Sequence, residues 1–194
     1  MADYKDIVGT AVRNNAGTLT SAKTGELFYD STNLDFIYRQ PNVTTAGAWR
    51  TGNNMNTARM NPSGAGTQTA GLVAGGEPTP VPDQTEEYNG TAWSAGGALG
   101  SGRHYAAGGG TQNATIAFGG TPGSGLTEHY DGSSWTTGGA LINALHFNAG
   151  AGTQNAALSM GGQPPTHLAC TEHYNGSVWT VGGALIIARK FCLM

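Results

Sequence analysis

The fold of this chain can be predicted from the segment Gly110-Thr111-Gln112-Asn113-Ala114-Thr115-Ile116-Ala117-Phe118-Gly119-Gly120, because the sequence contains three related copies of it. The copies begin at Gly66, Gly110 and Gly152, so the repeats are 44 and 42 residues long. A period in the forties indicates a supersecondary unit that buries its core only by packing against its neighbours. The sequence therefore predicts an array of similar units.

Each copy continues into the same glycine, tyrosine and tryptophan positions. A glycine pair ends the segment, a Tyr-Asn/Asp-Gly turn follows, and a Trp stands five residues after each Tyr. Equal spacing favours packing between the repeats over stacking of these Trp rings on sugars. We expect all of these positions to be structural: Gly75, Gly76, Tyr88, Trp93, Gly119, Gly120, Tyr130, Trp135, Gly161, Gly162, Tyr174 and Trp179.

The second copy predicts four short antiparallel strands. Gly108–Asn113 is expected to be a turn, Gly119-Gly120 to close the second strand, and Asp131-Gly132 to form a hairpin. No apolar period of 3.6 residues is sustained, so helices should be scarce. Four strands per repeat are typical of a β-propeller blade. The strands are expected at Arg103–Ala107, Ala114–Phe118, Leu126–Tyr130 and Ser133–Thr137.

The order Arg, aromatic, Gly-Gly, Tyr and Trp resembles the kelch repeat, whereas a Trp-Asp repeat is disfavoured because the chain has no Trp-Asp dipeptide. Arg59, Arg103 and Arg189 share one register, which Leu145 breaks at the cost of a polar contact. The resemblance implies an all-β fold of kelch-like propeller blades in an incomplete or open ring. Its parts are a partial blade at 49–58, complete blades at 59–102, 103–144 and 145–188, and a partial strand at 189–194.

Three complete blades leave open how the ring ends, since closed propellers have about four to eight. In one alternative, residues 189–194 join strands at 26–29, 36–39 and 48–50 to complete a fourth blade. In the other, the chain is a shortened form of a longer array. The second is favoured because Cys192-Leu193-Met194 departs from the repeat pattern.

Residues 1–48 form a separate N-terminal segment in this interpretation. A β-hairpin is expected near 25–39, and the polar residues 1–24 are expected to extend away from the body. The stretch from Tyr4 to Thr10, with this hairpin, resembles N-terminal segments of fibre-like virion proteins of marine tailed bacteriophages. The resemblance implies that this segment attaches the chain to the virion, after assembly in the bacterial cytoplasm.

Composition argues against several functions. Charged residues make up 11% of the chain and its net charge is −3, so the basic stripe of a nucleic-acid binder is missing. No apolar run approaches the roughly 18 residues of a membrane span. Cys170 and Cys192 do not occupy matching repeat positions, and we expect them to be reduced thiols rather than zinc ligands or a disulfide.

Candidate catalytic groups also repeat with the blades. Glu86, Glu128 and Glu172 precede their Tyr by two residues, with His129 and His173 between, and these could act together in acid–base or metal chemistry. We favour a structural role, because one strand position in three blades explains the spacing. The same holds for His104 and His146. With no catalytic motif present, we expect no enzyme activity, no metal and no cofactor.

The better ligand candidates are three loops that differ in length and sequence between the repeats, while the flanking repeat positions stay the same: Glu77–Asp83, Thr121–Gly125 and Gln163–Leu168.

We expect a structural protein of a tailed bacteriophage, part of a tail fibre or appendage that contributes to assembly or host-surface adsorption. Alternatives are a carbohydrate-binding module on the virion, a head decoration or collar protein, and a propeller-type enzyme with a Tyr/His/Cys metal site. Expected partners are other virion proteins, further copies in a homotrimer and a host-surface glycan.

Overall fold

The computed structural model describes residues 51–77, 83–122, 125–163 and 167–189, together with three short strands nearer the N-terminus. The chain divides into two compact units, Met1–Thr51 and Gly52–Met194. All regular secondary structure among the described residues is β-strand, which confirms the all-β prediction. Among the residues that the structure describes, no helix is long and apolar enough to cross a membrane.

The N-terminal unit contains a three-stranded sheet. Strands β2 (Leu27–Asp30) and β3 (Asp35–Tyr38) are antiparallel, as the hairpin prediction required. Strand β1 (Arg13–Asn15) runs parallel to β2, with Arg13 opposite Phe28. This third strand was not predicted, because its residues are polar and lack a period-2 apolar pattern.

The second unit contains three four-stranded antiparallel sheets, one for each copy of the repeat, and each sheet follows chain order. This arrangement is compatible with propeller blades. The first sheet is β4 (Ser63–Thr67), β5 (Ala70–Ala74), β6 (Thr85–Tyr88) and β7 (Trp93–Ala95). The second is β8 (His104–Thr111), β9 (Ala114–Thr121), β10 (Thr127–Tyr130) and β11 (Trp135–Thr137). The third is β12 (Ala149–Thr153), β13 (Ala156–Met160), β14 (Thr171–Tyr174) and β15 (Trp179–Val181).

The first strands of consecutive sheets pack side by side, β4 against β8 and β8 against β12. Among the described residues, no contact that would close a ring is detected. Residues 48–50 and 190–194, which are needed to decide between ring closure and a shortened array, lie outside the described residues.

The turn predicted at Gly108–Asn113 is shorter than expected, because only Gln112 and Asn113 turn between the two strands. Strand β8 continues to Thr111, and β9 runs through Gly119 and Gly120 rather than ending before them. A Cβ atom at Gly108 would lie 2.7 Å from the backbone carbonyl oxygen of Gly64 in the neighbouring first strand and would also meet Ser63 Oγ. Glycine is needed here because two backbones approach closely, not because the chain turns.

The glycine pairs connect each sheet to the segment that leads into the next repeat. Gly76 and Gly120 have φ of 92° and 93°, in the left-handed region that glycine adopts without strain. Their N–H groups donate to the carbonyl oxygens of Arg103 and Leu145 at 3.0 and 2.8 Å, and Gly162 donates to Arg189 at 2.8 Å.

Residues 52–57 lie against the first sheet in the same register as the segments that follow β7 and β11. The Asn53 side chain donates to the Thr91 carbonyl at 2.6 Å, and the Asn56 side chain donates to the Trp93 carbonyl at 3.1 Å. This segment therefore packs where the end of a preceding repeat would be expected.

The hydrophobic core lies between the sheets. One cluster joins the first and second sheets and includes Leu72, Leu99 and Tyr130. The other joins the second and third sheets through Phe118 and Trp179, with Leu145 fully buried beside them. Each core cluster is built from two consecutive sheets, so a single sheet does not bury a core by itself, as the repeat pattern predicted.

Candidate functional site

The repeated glutamates lie in buried clusters that hold the sheets in place. Arg59 Nη2 lies 2.5 Å from Glu86 Oε1, and Arg103 Nη1 lies 2.6 Å from Glu128 Oε2. The backbone N–H of Asn56 also donates to Glu86 at 2.7 Å. Burial raises the pKa of Glu86, but the hydrogen bonds from Asn56 and Arg59 outweigh that effect and lower it. These bonds favour the ionised form of the carboxylate.

The third glutamate has a different partner, because Leu145 replaces the arginine. Glu172 accepts hydrogen bonds from the backbone N–H groups of Ile142 and Asn143 at 2.8 and 2.9 Å. The Asn143 side chain adds a third bond at 2.9 Å. The sequence indicated that Leu145 removes the arginine from this repeat. It did not indicate that Asn143, two residues earlier, donates hydrogen bonds to Glu172 instead.

The three tryptophans pack alike against the Tyr of their own sheet. The ring centroids of Tyr88–Trp93, Tyr130–Trp135 and Tyr174–Trp179 lie 5.0, 5.0 and 4.9 Å apart. Their burial differs: Trp179 is buried, whereas Trp93 and Trp135 are half-buried.

The difference in burial follows from the neighbouring sheet. Phe118 packs on Trp179 with centroids 4.8 Å apart, and the corresponding residue beneath Trp135 is the smaller Ala74. The indole N–H of Trp179 donates to Thr127 at 3.0 Å, and that of Trp135 donates to Thr85 at 2.9 Å. These rings are therefore interface residues between sheets.

The glutamine of the Gly-Thr-Gln motif also joins consecutive sheets. The Gln112 side chain donates to the carbonyls of Gly71 and Tyr88 at 3.0 and 2.8 Å. Gln154 repeats this with Thr115 and Tyr130 at 3.1 and 2.7 Å. The sequence marked this motif as a repeat signature without indicating the role of its amide.

A shallow depression of about 340 Å³ lies between the second and third sheets. His129 Nε2 and the Tyr174 hydroxyl meet there at 2.8 Å, and burial lowers the pKa of His129. In the preceding interface the corresponding pair is Glu87 and Tyr130, 2.5 Å apart, where burial and this bond raise the pKa of Tyr130 to about 12. Both pairs connect neighbouring sheets.

The cysteines and a possible metal site were the other chemical groups considered from the sequence. Cys170 has a free thiol whose pKa is raised, mainly by burial, and Cys192 lies outside the described residues. Within the described ranges, no three His, Cys, Asp or Glu side chains lie close enough together to hold a metal ion.

The three variable loops begin at one end of the sheets. Their first residues pair across strands with the residue that follows the arginine position: Met60 with Glu77, His104 with Thr121, and His146 with Gln163. Residues 78–82, 123–124 and 164–166 of these loops lie outside the described residues. The pairing nevertheless places the start of every loop at an equivalent position.

Four partly exposed rings lie at this end, and we call them the aromatic row: His104, Tyr105, His146 and Phe147. The centroids of Tyr105 and Phe147 are 4.0 Å apart. His104 lies edge-on to Tyr105 at 4.7 Å, and His146 lies edge-on to Phe147 at 4.9 Å. The row therefore crosses from the second sheet to the third.

The backbone of this row is in an uncommon conformation. Tyr105 and Phe147 have φ of 58° and 57°, and Asn61 holds the same register in the first repeat with 55°. The N–H of Tyr105 donates to the Asn61 carbonyl, and the N–H of Phe147 donates to the Tyr105 carbonyl, at 3.1 and 3.2 Å. Asn adopts this region readily, whereas bulky residues do so at a cost.

Polar side chains accompany the rings, and Glu77, Thr121 and Gln163 form what we call the polar row. Glu77 accepts a hydrogen bond from the Asn61 side chain at 3.2 Å and lies 3.9 Å from His104 Nε2. A hydrogen bond with Glu77 raises the pKa of Tyr105. His104 and His146 were candidate residues from the sequence, whereas Tyr105 and Phe147 were not; the shared register of these two with Asn61 was the available signal.

Comparison with known proteins does not assign this arrangement to a family. No family model matches the chain, and a search of curated proteins finds no similar sequence. The geometry of the sheets and of the two rows is therefore the basis for a functional proposal.

Proposed function

We propose that the chain is a structural protein of a tailed bacteriophage particle, a tail-fibre or appendage component with kelch-like blades that contributes to assembly or host adsorption. One observation carries the proposal: bonds that recur between consecutive sheets join them into one scaffold, and three variable loops start at a single end of it. Rigid scaffolds with variable loops are typical of recognition proteins. The N-terminal resemblance to fibre-like virion proteins supports the viral setting.

The chemistry of the buried charges also supports a structural role. Glu86 and Glu128 are each engaged by an arginine and by backbone N–H groups. Removing either partner would leave a buried charge, so these groups contribute to folding rather than to proton transfer.

Association with further copies is part of the proposal, with a homotrimer favoured. Strand β15 is an edge strand of the third sheet, and Val181 within it is 72% exposed. Ile186 and Ile187, which follow it, are also exposed. Exposed edges with apolar side chains are surfaces that proteins normally cover.

A carbohydrate-binding module on the virion is the second candidate, and the aromatic row favours it. Partly exposed rings beside carboxylate, hydroxyl and amide groups match the two kinds of surface on a sugar ring, its C–H faces and its hydroxyls.

Particle composition and imaging test the main proposal. Mass spectrometry of purified phage particles should detect the chain, and antibodies against it should label an appendage in electron micrographs. Particles that lack the chain in both measurements would contradict the proposal. Labelling of the head or collar would move the chain to another virion component.

A further inference from the structure

We propose that the aromatic row and the polar row together bind an uncharged pyranose oligosaccharide. The inference rests on the proposed function, because adsorption requires a ligand on the host surface. It extends that function by naming the surface and the class of ligand.

The two rows supply complementary contacts. Tyr105 lies in β8 and Phe147 lies just before β12, with ring centroids 4.0 Å apart, so a ligand that contacts one ring is within reach of the other. The electron-rich faces of such rings attract the C–H groups of a sugar. Glu77 can accept hydrogen bonds from hydroxyl groups, while Thr121 and Gln163 can donate and accept.

The charge of the surface selects against acidic sugars. Glu77 is the one acid in the two rows. The Arg59 and Arg103 side chains are buried in pairs with Glu86 and Glu128, and the exposed Arg189 pairs with Leu168 in the third repeat rather than with Glu77. The other titratable side chains of the two rows are His104, His146 and Tyr105. A carboxylate without an exposed arginine beside it repels uronic and sialic acids but not neutral hexoses.

The first repeat indicates that the fold does not require aromatic side chains here. Asn61 adopts the same φ as Tyr105 and Phe147, and its carbonyl makes the same link to the next repeat. Aromatic side chains in this conformation are more costly than Asn. Their presence at two of three positions therefore points to a role in binding.

This comparison supplies variants that keep the fold. Tyr105→Asn and Phe147→Asn place in the second and third repeats the residue that the first already has. A glycan array that covers neutral, amino and acidic oligosaccharides would first identify neutral ligands of the full chain. Calorimetric titration with the best of these should then show binding weakened about tenfold in each variant.

The control is Val178→Ser, in the turn before β15, where the side chain is exposed and the second repeat already has Ser134; this variant should bind as the unchanged chain does. Thermal unfolding should show that both Asn variants remain folded. Glu77→Gln should weaken the neutral glycan several-fold, because an amide is a weaker acceptor than a carboxylate.

The proposal is overturned if the array shows no neutral glycan, if only acidic glycans bind, or if folded Asn variants bind unchanged. None of these results bears on whether the chain is present in the particle. Detection in purified phage together with failed glycan binding would therefore reject this inference and keep the proposed function.

Discussion

Asn143 does for Glu172 what an arginine does for the equivalent glutamates of the other two sheets. Its side-chain N–H donates to Glu172 Oε1 at 2.9 Å, and its backbone N–H donates to the same oxygen at 2.9 Å. The third repeat thus binds the carboxylate with neutral donors and fills the arginine position with the buried Leu145.

The same arrangement, with Leu at the arginine position and Asn two residues before it, can be introduced into the second sheet. Arg103→Leu should lower the free energy of unfolding by about 3–5 kcal/mol, because Glu128 would stay buried without its cation. Adding Ser101→Asn, the position that corresponds to Asn143, should recover part of the loss. Chemical denaturation measures both effects, and an Arg103→Leu protein of unchanged stability would contradict the role of the ion pair.

The turn at Asp131 should make stability depend on acid. Hydrogen bonds from the Ser134 and Ser133 backbones hold the pKa of Asp131 at about 2, below its ordinary value. The depressed pKa adds stability that is present above the unfolded value, about 3.9, and is lost as pH falls towards 2. A carbon-detected NMR titration of the carboxyl group should give the low midpoint.

Asp131→Asn is the matched control for that titration. Asn89 and Asn175 bind the same backbone positions in the other two turns, so the variant should fold normally. It should also lose this part of the pH dependence. A midpoint near 4 in the unchanged protein would show that the turn bonds are not made.

The hydrogen bonds from the Gln112 side chain to the first sheet predict that Gln112→Ala lowers stability more than Gln68→Ala, although the two glutamines are equivalent in the repeat. Gln112→Ala removes two hydrogen bonds to the first sheet and should cost about 1–3 kcal/mol of unfolding free energy. Gln68 has the same place in its motif but is exposed, and Gln68→Ala should change stability by less than about 0.5 kcal/mol. Equal losses in denaturant titrations would exclude a bridging role for Gln112.

The loss of unfolding free energy on replacing a repeat tryptophan should follow the burial of its ring, even though the three tryptophans occupy equivalent positions in the sequence. Trp179→Ala should cost about 3–5 kcal/mol, because the ring is 5% exposed and packs on Phe118. Trp93→Ala should cost less, since its ring is half-buried and its N–H bonds the Asn53 carbonyl instead of a neighbouring sheet. Thermal and chemical unfolding of both variants, compared in one buffer, would reveal a reversed order.

Self-association should depend on the exposed end of the third sheet. Light scattering of the purified chain should give a homo-oligomer, and the double variant Ile186→Ser with Ile187→Ser should shift it towards the monomer, because exposed apolar area would be lost. Ile142→Ser, at an equivalent position in the preceding repeat, is the control. A stable monomer of the unchanged chain would count against association.

Repetition made the strands predictable, since Tyr88, Tyr130 and Tyr174 all end a third strand before a turn. The glycines of β8 were misassigned because a local signal cannot distinguish a turn from a close approach of two strands. Gly108 meets Ser63, which is distant in sequence. Only the assembled sheets show that contact.

The candidate site was predictable in part. The loop positions follow from the repeat pattern, and their shared location is seen in the pairing of His104 with Thr121. Propensity disfavours the left-handed conformation for bulky side chains such as Tyr105 and Phe147, so their register with Asn61 was the one signal of it in the sequence. This conformation is imposed by hydrogen bonds between repeats, which have no local sequence signature.

The hydrogen bond that links Tyr105 to Phe147 through the backbone has a consequence for how such a chain can evolve. Each repeat contributes one left-handed position and one paired polar position to the same end of the molecule. Duplication of a repeat would therefore add one further pair of these positions to the proposed glycan-binding surface and leave the existing pairs unchanged. The valency of the surface, and with it the avidity for a polymer, would increase with gene length.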